Sequence, residues 1–408
     1  NYFFLSKNKR YNKRYKVKAF FLTQLPIEKK FIKIGNKRIK IYKEEEMERV
    51  IKKEKIDIVL LSYSDLTLEE LNEKISKILK HSNFAILGTE TQTKAKQFVI
   101  SVCATRTGAG KTTVTKEICR ILRDAGKEFA VIRHPMPYIK TQEVQKFEKE
   151  EDLKNCTIEE REEYEQYIRE GFTIYSGTNM QKLLNTIKEK IIVFEGGNND
   201  FSLIRPDFLI TVCDPTREIN TFPGLLNLML ADLIIITKTN MVEKRKLQKI
   251  IEKIKEVSKG RIVLSNFVLN YDRKNVGDMK NKRAVIIEDG PSSTHGNIKI
   301  GASKIMAKKL GIKIVNPRDY CEGIIRKEIE KYNIEFIPAI GYDKKQIRDL
   351  KKSIKNCEKI CDFFIISTQA SIEKMLKLKN YLKVTYNLDE NSRSLLKKEI
   401  LFRVMKDF

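Results

Sequence analysis

The sequence predicts an α/β protein in which a central parallel sheet is flanked by a small N-terminal and a C-terminal α/β unit. Apolar runs alternate with helical patterns along nearly the whole chain, and the runs of the central third are apolar throughout. Such alternation is typical of α/β folds, and continuous apolar runs are typical of parallel strands buried on both faces. A glycine-containing loop between one of these runs and a helical segment is the third observation.

The central unit is predicted at 97–260. Its predicted strands are 98–104, 129–133, 191–194, 208–213 and 233–237, and its first helix is 111–125. A polar, acidic insert at 139–171 separates the second strand from the third. In this insert Thr157 and Glu160 have the spacing of a capping box, which predicts a helix start. Its charge pattern is typical of a solvated surface, but its place beside the glycine-containing loop also makes it a candidate lid.

The flanking units are predicted at 1–96 and 261–408. The first begins with a basic, tyrosine- and phenylalanine-rich arm at 1–15, followed by two strands and two helices at 17–22, 56–62, 44–55 and 68–80. The second has four predicted strands and three predicted helices, at 262–269, 285–288, 363–367, 382–386, 301–310, 321–332 and 344–356.

Composition excludes several classes of protein. The 408 residues carry a formal net charge of +26, but the excess lies at the ends: residues 1–40 carry +12 and residues 301–408 carry +10, whereas residues 101–200 carry −1. No basic motif interleaved with aromatic residues occurs, so a nucleic-acid partner is not expected. No apolar run approaches the roughly 18 residues of a membrane span. The seven scattered cysteines form no CxxC pair and predict a reducing cytoplasm.

The glycine-containing loop has the pattern of a phosphate-binding loop. It follows a predicted strand and opens a predicted helix, the context that such a loop requires. Its backbone N–H groups would surround phosphate oxygens; the residues assigned to this nucleotide contact are Gly108, Ala109, Gly110, Lys111, Thr112 and Thr113. Lys111 is the predicted catalytic cation on the β- and γ-phosphates, and the Thr112 hydroxyl is a predicted Mg²⁺ ligand.

One position departs from the standard pattern. Thr105 stands where a glycine is usual, and Arg106 lies five positions before Lys111. This arrangement resembles the deviant loops of dimerising P-loop proteins, which carry a lysine at that place. We therefore interpret Arg106 as a second catalytic cation, since its guanidinium is always charged. A purely structural arginine is the alternative.

A second polar segment follows the strand at 191–194. Glu195 ends that strand, and an acidic residue at such a place is suited to a second Mg²⁺ contact and a catalytic role. The glycines that follow allow close approach to a phosphate. The polar residues after them are candidate substrate contacts, although such a run is also a common turn: Asn198, Asn199 and Asp200.

The segment after the strand at 233–237 is where nucleotide-base readers occur. Lys238 and Asn240 occupy the positions at which guanine readers carry a lysine and a carboxylate. Because an amide replaces the carboxylate, Asn240 favours ATP over GTP. A loop asparagine with a structural role is the alternative.

Cationic side chains near the phosphate loop suggest an anionic second substrate. Arg133 and His134 follow the strand after the loop helix, at the sheet edge where ligands bind, and two prolines stiffen the chain beyond them. Weaker candidates on flanking segments are Lys140, Arg161, Tyr164 and Arg205. In the third unit, Glu288, Asp289 and His295 allow a role in binding or proton transfer but equally fit an ordinary loop.

Five segments together resemble cyclic 2,3-diphosphoglycerate synthetase, an enzyme family of methanogenic archaea. They lie in the expected order within about 84–390, at 103–111, 133–138, 159–165, 195–200 and 288–291. The resemblance implies a cytoplasmic homodimer that uses ATP and Mg²⁺ to close a phosphoanhydride within 2,3-diphosphoglycerate, with release of ADP and phosphate. One substrate phosphate would attack the γ-phosphoryl group, and the other would displace phosphate and close the ring. The cationic residues above would hold the two anionic groups together.

Two other functions fit part of the sequence. A dimeric deviant P-loop ATPase that positions DNA or cargo is favoured by Arg106 and the net charge, but not by the polar loops of the third unit. A GTPase metallochaperone is opposed by Asn240, by the scarcity of histidine and by the absence of CxxC pairs.

Overall fold

The computed structural model describes residues 16–22, 31–34, 37–62, 66–135, 142–197, 200–290 and 301–407. Three α/β units follow one another along the chain, which confirms the predicted fold class. In the described part of the chain, no helix is both long and apolar enough to cross a membrane.

The N-terminal unit is built from short strands and two amphipathic helices. Its strands, β1–β6, are Phe20–Leu22, Phe31–Ile34, Lys37–Lys43, Ile58–Leu61, Leu66–Thr67 and Asn83–Ile86. Its helices, α1 and α2, are Met47–Glu54 and Leu68–Leu79. The order β1-β3-β2 forms one sheet and β4-β6 another.

An eight-stranded sheet forms the middle of the molecule. The strands of this region, β7–β15, are Phe98–Ala104, Phe129–Arg133, Gln145–Phe147, Ile174–Ser176, Ile191–Glu195, Phe208–Cys213, Thr221–Phe222, Leu233–Ile236 and Arg261–Leu264. The sheet order is β15-β14-β12-β7-β11-β8-β10-β9, and every neighbouring pair is parallel except β10 and β9. Of its six inner strands, β7, β11, β12 and β14 are buried along their whole length, as their continuous apolar runs predict. The strand β13 instead pairs with β5 and joins this unit to the first.

Helices cover both faces of this sheet. The five helices of the unit, α3–α7, are Lys111–Asp124, Ile158–Ile168, Met180–Thr186, Gly224–Leu230 and Lys244–Val257. The helix α3 contacts β7 and β11 directly, so the loop before it lies at the carboxyl edge of the central strands, where ligands bind in open α/β sheets.

The C-terminal unit has its own mixed sheet. Its strands, β16–β21, are Phe267–Lys274, Arg283–Asp289, Lys313–Ile314, Ile337–Ala339, Phe363–Ile366 and Tyr381–Leu388. Their order is β16-β21-β20-β17-β18, with β19 also paired to β17. The helices of this unit, α8–α12, are Ala302–Leu310, Gly323–Tyr332, Lys344–Cys357, Ile372–Met375 and Glu390–Asp407.

The boundary between the second and third units differs from the prediction at 261. The apolar run predicted as one strand at 262–269 forms two strands in different sheets: β15 extends the central sheet and β16 pairs with β21. The break is at Ser265 and Asn266. The backbone N–H of Ser265 donates to Ile236, whereas the Asn266 amide donates to Asp389 in the third unit. An apolar pattern alone does not reveal such a change of partner.

The last helix returns to the central unit. Helix α12 packs against α3 and β15, and its buried residues Leu396, Ile400 and Val404 join the core that contains Val114 and Ile118 of α3. The C-terminal segment therefore stabilises the helix that carries the phosphate loop.

Shortening a buried side chain of α12 is expected to destabilise the protein. Ile400 is 0% exposed and Phe402, two positions on, is 69% exposed. Ile400→Ala should lower the free energy of unfolding by about 2–5 kcal/mol, because it leaves a cavity in the core, whereas Phe402→Ala should change it by less than about 0.5 kcal/mol. Urea unfolding of both variants measures the difference. Equal losses would contradict the packing of α12 on α3.

Candidate active site

The phosphate loop adopts the backbone that its glycines permit. Gly108 and Gly110 have φ angles of 81° and 94°, in the left-handed region that other residues avoid. Gly110 caps α3 at its N-terminus, so the free N–H groups of the first helical turn border the loop. A Cβ atom at Gly110 would also lie 2.5 Å from the ring of Phe267, and the loop therefore tolerates no larger residue there.

The carboxylate of Glu195 is buried at the end of β11 and is contacted from both sides. The Thr112 hydroxyl donates to Oε1 at 2.7 Å, and Lys111 Nζ lies 3.7 Å from the same oxygen. On the other side, Arg133 lies 2.8 Å from Oε2 and the Tyr167 hydroxyl donates to it. Burial alone would raise the pKa of Glu195, but the charges of Arg133 and Lys111 outweigh burial and lower it. Glu195 is therefore ionised.

Glu195 and Thr112 fit a magnesium ion chemically. A carboxylate and a hydroxyl are hard oxygen donors, and Mg²⁺ is usually bound by one or two protein oxygens together with phosphate oxygens and water. No group of three histidine, cysteine or acidic residues suited to a metal ion occurs among the described residues. These two side chains would hold the ion when nucleotide is present.

Lys111 reaches across the loop to the chain that follows β11. Its Nζ donates to the carbonyls of Gly196 at 2.9 Å and Gly197 at 2.5 Å. Burial lowers the pKa of Lys111, and Glu195 opposes that effect. The ammonium group is thus held at the point where loop, strand end and cavity meet.

The two residues predicted to read the base have local partners. Lys238 donates to the carbonyl of Gly108 at 2.8 Å and to Asp214 at 2.6 Å, and it lines the cavity. Asn240 donates to the carbonyl of Phe267 at 3.0 Å and accepts from its N–H at 3.3 Å. Asn240 therefore fixes the start of β16, and with it the aromatic ring over Gly110.

A cavity between the central and C-terminal units joins these residues to others. Its lining includes Arg106, Lys111, Lys238, Arg133, Glu162, Glu163, Gly197, Phe267, Glu288, Asp289, Ser367, Gln369 and Tyr386. We call Arg106, Lys111 and Lys238 the cationic wall, and Glu162, Glu288 and Asp289 the acidic wall. The Arg106 side chain makes no hydrogen bond or ion pair with any other described residue.

The carboxyl groups of the acidic wall are buried, and two of them are shifted toward their protonated forms. The hydroxyls of Ser367 and Thr368 donate to Glu288 and Glu162 respectively. Burial, and then the charge of Asp289, nevertheless raise the pKa of Glu162 well above its ordinary value. Burial raises the pKa of Glu288 to about 7 despite the Ser367 hydrogen bond. A cation bound here would restore the ionised forms.

The predicted lid contains a buried helix rather than a solvated one. Helix α4 begins at the predicted capping box, where Thr157 and Glu160 bond each other's backbone. The carboxylates at every third position, Glu159, Glu162 and Glu165, accept hydrogen bonds from the third unit: Gly341 N–H, Thr368 hydroxyl and Ser371 N–H. These donors make burial of an acidic helix tolerable. Helix α4 thus contacts both the sheet of the central unit and the C-terminal unit.

The residues predicted to bind an anionic substrate, Arg133 and His134, already contact carboxylates of the protein. Arg133 contacts Glu163 and Glu195 and donates to the carbonyl of Gly196 at 3.0 Å. His134 Nδ1 lies 3.4 Å from Asp200, and burial lowers the pKa of His134 to about 4 although Asp200 opposes this. The imidazole is therefore neutral at pH 7.

Three weaker candidates do not line the cavity. Arg161 donates to the carbonyl of Leu153 and lies 3.6 Å from Glu165. The buried Tyr164 donates to Ser176 at 3.1 Å, and Arg205 is exposed on the surface. Four further candidates lie outside the described residues: Lys140, Asn198, Asn199 and His295.

Several cavity residues were not anticipated from the sequence, among them Glu162, Glu163 and Phe267. Tyr167, which contacts Glu195 beside the cavity, was also missed. A usable signal existed on α4, because Glu163 and Tyr167 are four residues apart and share one helix face. Nothing in the sequence distinguished that helix face from a solvated one. Phe267 could not be anticipated either, because only the change of sheet after Ser265 brings its ring to Gly110.

Comparison with known proteins gives the family. A sequence model described as the P-loop domain of cyclic 2,3-diphosphoglycerate synthetase matches residues 171–266. Arginine synthetase ArcE of Thermococcus kodakarensis is 37% identical over 411 residues, which span 95% of this chain and 90% of that protein. This chain belongs to the family of that arginine synthetase and is homologous to the cyclic 2,3-diphosphoglycerate synthetases. It is an enzyme of that synthetase family with a nucleotide-binding P-loop unit.

The cyclic 2,3-diphosphoglycerate synthetases are more distant relatives. The cyclic 2,3-diphosphoglycerate synthetase of Pyrococcus furiosus is 28% identical over 44% of this chain and 39% of its own. The protein of the same name from Thermococcus sibiricus is 27% identical over 30% of this chain and 28% of its own. Among solved structures, LpxK from Aquifex aeolicus in complex with ATP gives a TM-score of 0.43 at 13% identity, over 77% of this chain and 90% of that one.

The raised pKa of Glu288 predicts a pH effect on stability. Between about 4.5, its ordinary pKa, and about 7 the native state keeps the Glu288 proton, whereas the unfolded state loses it. The native state binds more protons in this window, so the free energy of unfolding falls as pH rises. Glu288→Gln should flatten that fall, as measured by urea unfolding from pH 4.5 to 8.

The matched control is Glu358→Gln, on the exposed surface of the same unit. It should keep the slope of the wild type. Parallel pH profiles for all three proteins would contradict the protonated state of Glu288.

Proposed function

We propose that this protein is an ATP-dependent synthetase that forms arginine from the ureido amino acid citrulline and ammonia. The observation that carries the proposal is the lining of the cavity, which contains both the cationic wall, with Arg106 and Lys111 from the phosphate loop, and the acidic wall from α4 and β17. A nucleotide triphosphate is complementary to the first wall, and a cationic amino acid is complementary to the second.

The cationic wall supports ATP as the phosphoryl donor. The N–H groups of the loop and of the first turn of α3 would hold the β- and γ-phosphates. The ammonium group of Lys111, the first residue of α3, would contact the same phosphates. Arg106 lines the same cavity without a side-chain partner among the described residues, and it would be available to stabilise the charge that develops during phosphoryl transfer. Thr112 and Glu195 would hold Mg²⁺, which neutralises phosphate charge when bound.

The acidic wall favours a cation over a polyanion as the second substrate. Three carboxylates line it, and their mutual repulsion together with burial already raises two of their pKa values. A bisphosphate would add four or so further negative charges to this wall. A guanidinium or ammonium group would instead be attracted to it. The name of the Thermococcus kodakarensis relative, arginine synthetase, points to the same chemical class.

The reaction is chemically balanced. The ureido oxygen attacks the γ-phosphorus of ATP, releases ADP and becomes an O-phosphoryl isourea. Ammonia adds to the ureido carbon, and the C–O bond breaks with loss of inorganic phosphate, which leaves the guanidinium group of arginine. Glu288 is suited to accept the proton released on addition, because a pKa of about 7 matches a base at neutral pH. The acidic wall would also stabilise the positive charge as it forms.

Cyclisation of 2,3-diphosphoglycerate is the second candidate. It is favoured by the family match over residues 171–266 and by the availability of Arg106 for an anionic group. Arg133 contributes less to this candidate, since Glu163 and Glu195 already neutralise its charge. The homodimer and the absence of a nucleic-acid partner stay predictions from the sequence.

Product analysis with two substrates separates the candidates. The protein is incubated with ATP, Mg²⁺, citrulline and ¹⁵N-ammonium, and labelled arginine is measured by mass spectrometry. A parallel reaction contains 2,3-diphosphoglycerate and is followed by ³¹P NMR. We expect labelled arginine and no cyclic phosphate. The reverse outcome would establish the second candidate, and neither product would contradict both.

Removal of the loop cation should abolish turnover with either substrate. Lys111→Ala is expected to lower kcat by at least about 10²-fold, the effect of losing one donor to a developing anion. Lys116→Ala is the control, because Lys116 lies further along α3 and contacts Glu170 at 3.6 Å. Release of ADP gives both rates, and similar rates for the two variants would exclude the phosphate loop as the site of the reaction.

A further inference from the structure

A tyrosine outside the phosphate loop controls one face of the metal-binding carboxylate. The Tyr167 hydroxyl donates to Glu195 Oε2, and Tyr167 is 0% exposed. The phenol is the donor in this contact, because an ionised carboxylate can only accept.

The two carboxylate oxygens of Glu195 have different partners. Oε1 faces the Thr112 hydroxyl and Lys111, the groups that border the phosphates. Oε2 faces Arg133 and Tyr167, which lie on the opposite side. A carboxylate held only by the first pair would be free to turn about its side-chain bonds. The second pair fixes its plane.

We propose that Tyr167 is a positioning residue that holds Glu195 Oε1 toward the magnesium ion, and so makes metal binding depend on helix α4. The proposal rests on the ATP and magnesium site proposed above, but not on the identity of the second substrate.

Helix α4 connects the Tyr167–Glu195 contact to the rest of the cavity. The same helix carries Glu162 of the acidic wall and is bonded to the third unit through Thr368 and Ser371. One helix thus contacts Glu195, the acidic wall and the third unit.

A matched pair of tyrosines on α4 tests the proposal. Tyr164 and Tyr167 are both buried, and each donates one hydrogen bond, but Tyr164 donates to Ser176 rather than to Glu195. Calorimetric titration of ATP at several Mg²⁺ concentrations gives the Mg²⁺ concentration at half-maximal ATP affinity. We expect it to rise about 10-fold or more in Tyr167→Phe, the usual effect of losing a partner of a metal ligand. Tyr164→Phe should leave it unchanged.

A double-mutant cycle isolates the contact. In a Glu195→Gln background, Tyr167→Phe should cause no further loss, because its partner is already altered. If Phe at 167 prevents folding, 3-fluorotyrosine at that position keeps the ring, donates more strongly, and is expected to lower the Mg²⁺ requirement.

The outcomes separate the two proposals. Equal Mg²⁺ requirements for the wild type and Tyr167→Phe, or an additive double mutant, would overturn the role of Tyr167 alone. A wild type whose ATP affinity does not depend on Mg²⁺ would overturn the metal site and the role of Tyr167 together.

Discussion

The buried carboxylate of Glu195 is the constraint on which the rest of the site depends. A charge without access to water is costly unless it is paired and hydrogen-bonded, and Glu195 is surrounded by Lys111, Thr112, Arg133 and Tyr167. These partners come from three different elements, α3, β8 and α4, while Glu195 itself ends β11. One buried charge thus fixes the relative positions of the loop, the sheet edge and the inserted helix.

Helix α4 joins this carboxylate to the third unit. One of its faces supplies Tyr167 and Glu163 to the sheet edge, and the other supplies Glu159, Glu162 and Glu165 to backbone and hydroxyl donors of the C-terminal unit. An acidic helix in such a place is tolerated because nearly every carboxylate accepts a hydrogen bond from outside the helix. The lining of the cavity therefore combines carboxyl groups from α4 and β17 with the cations of the phosphate loop.

Much of the nucleotide half of the site was predictable because it is local. The order of strand, loop, Lys111 and helix is encoded within 98–124, and Glu195 follows an apolar run that only a buried strand explains. The second half was less predictable. The capping box at Thr157 correctly located the start of α4, but its charge pattern was that of a solvated helix. The Asn240 motif indicated a base reader, whereas its amide bonds the backbone of Phe267.

By itself, the sequence determined the fold class, the phosphate loop and the acidic end of the neighbouring strand, because parallel strands and phosphate loops depend on residues close together in the chain. Only the tertiary structure decided which of the charges around the cavity have protein partners. Arg133 was predicted to bind an anionic substrate, but Glu163 and Glu195 contact its guanidinium. For Glu288 the sequence left binding, proton transfer and an ordinary loop open, and burial in the folded protein raises its pKa to about 7. Electrostatic interaction depends on distance and burial rather than on position in the chain, so the charge presented to the second substrate is a property of the folded molecule.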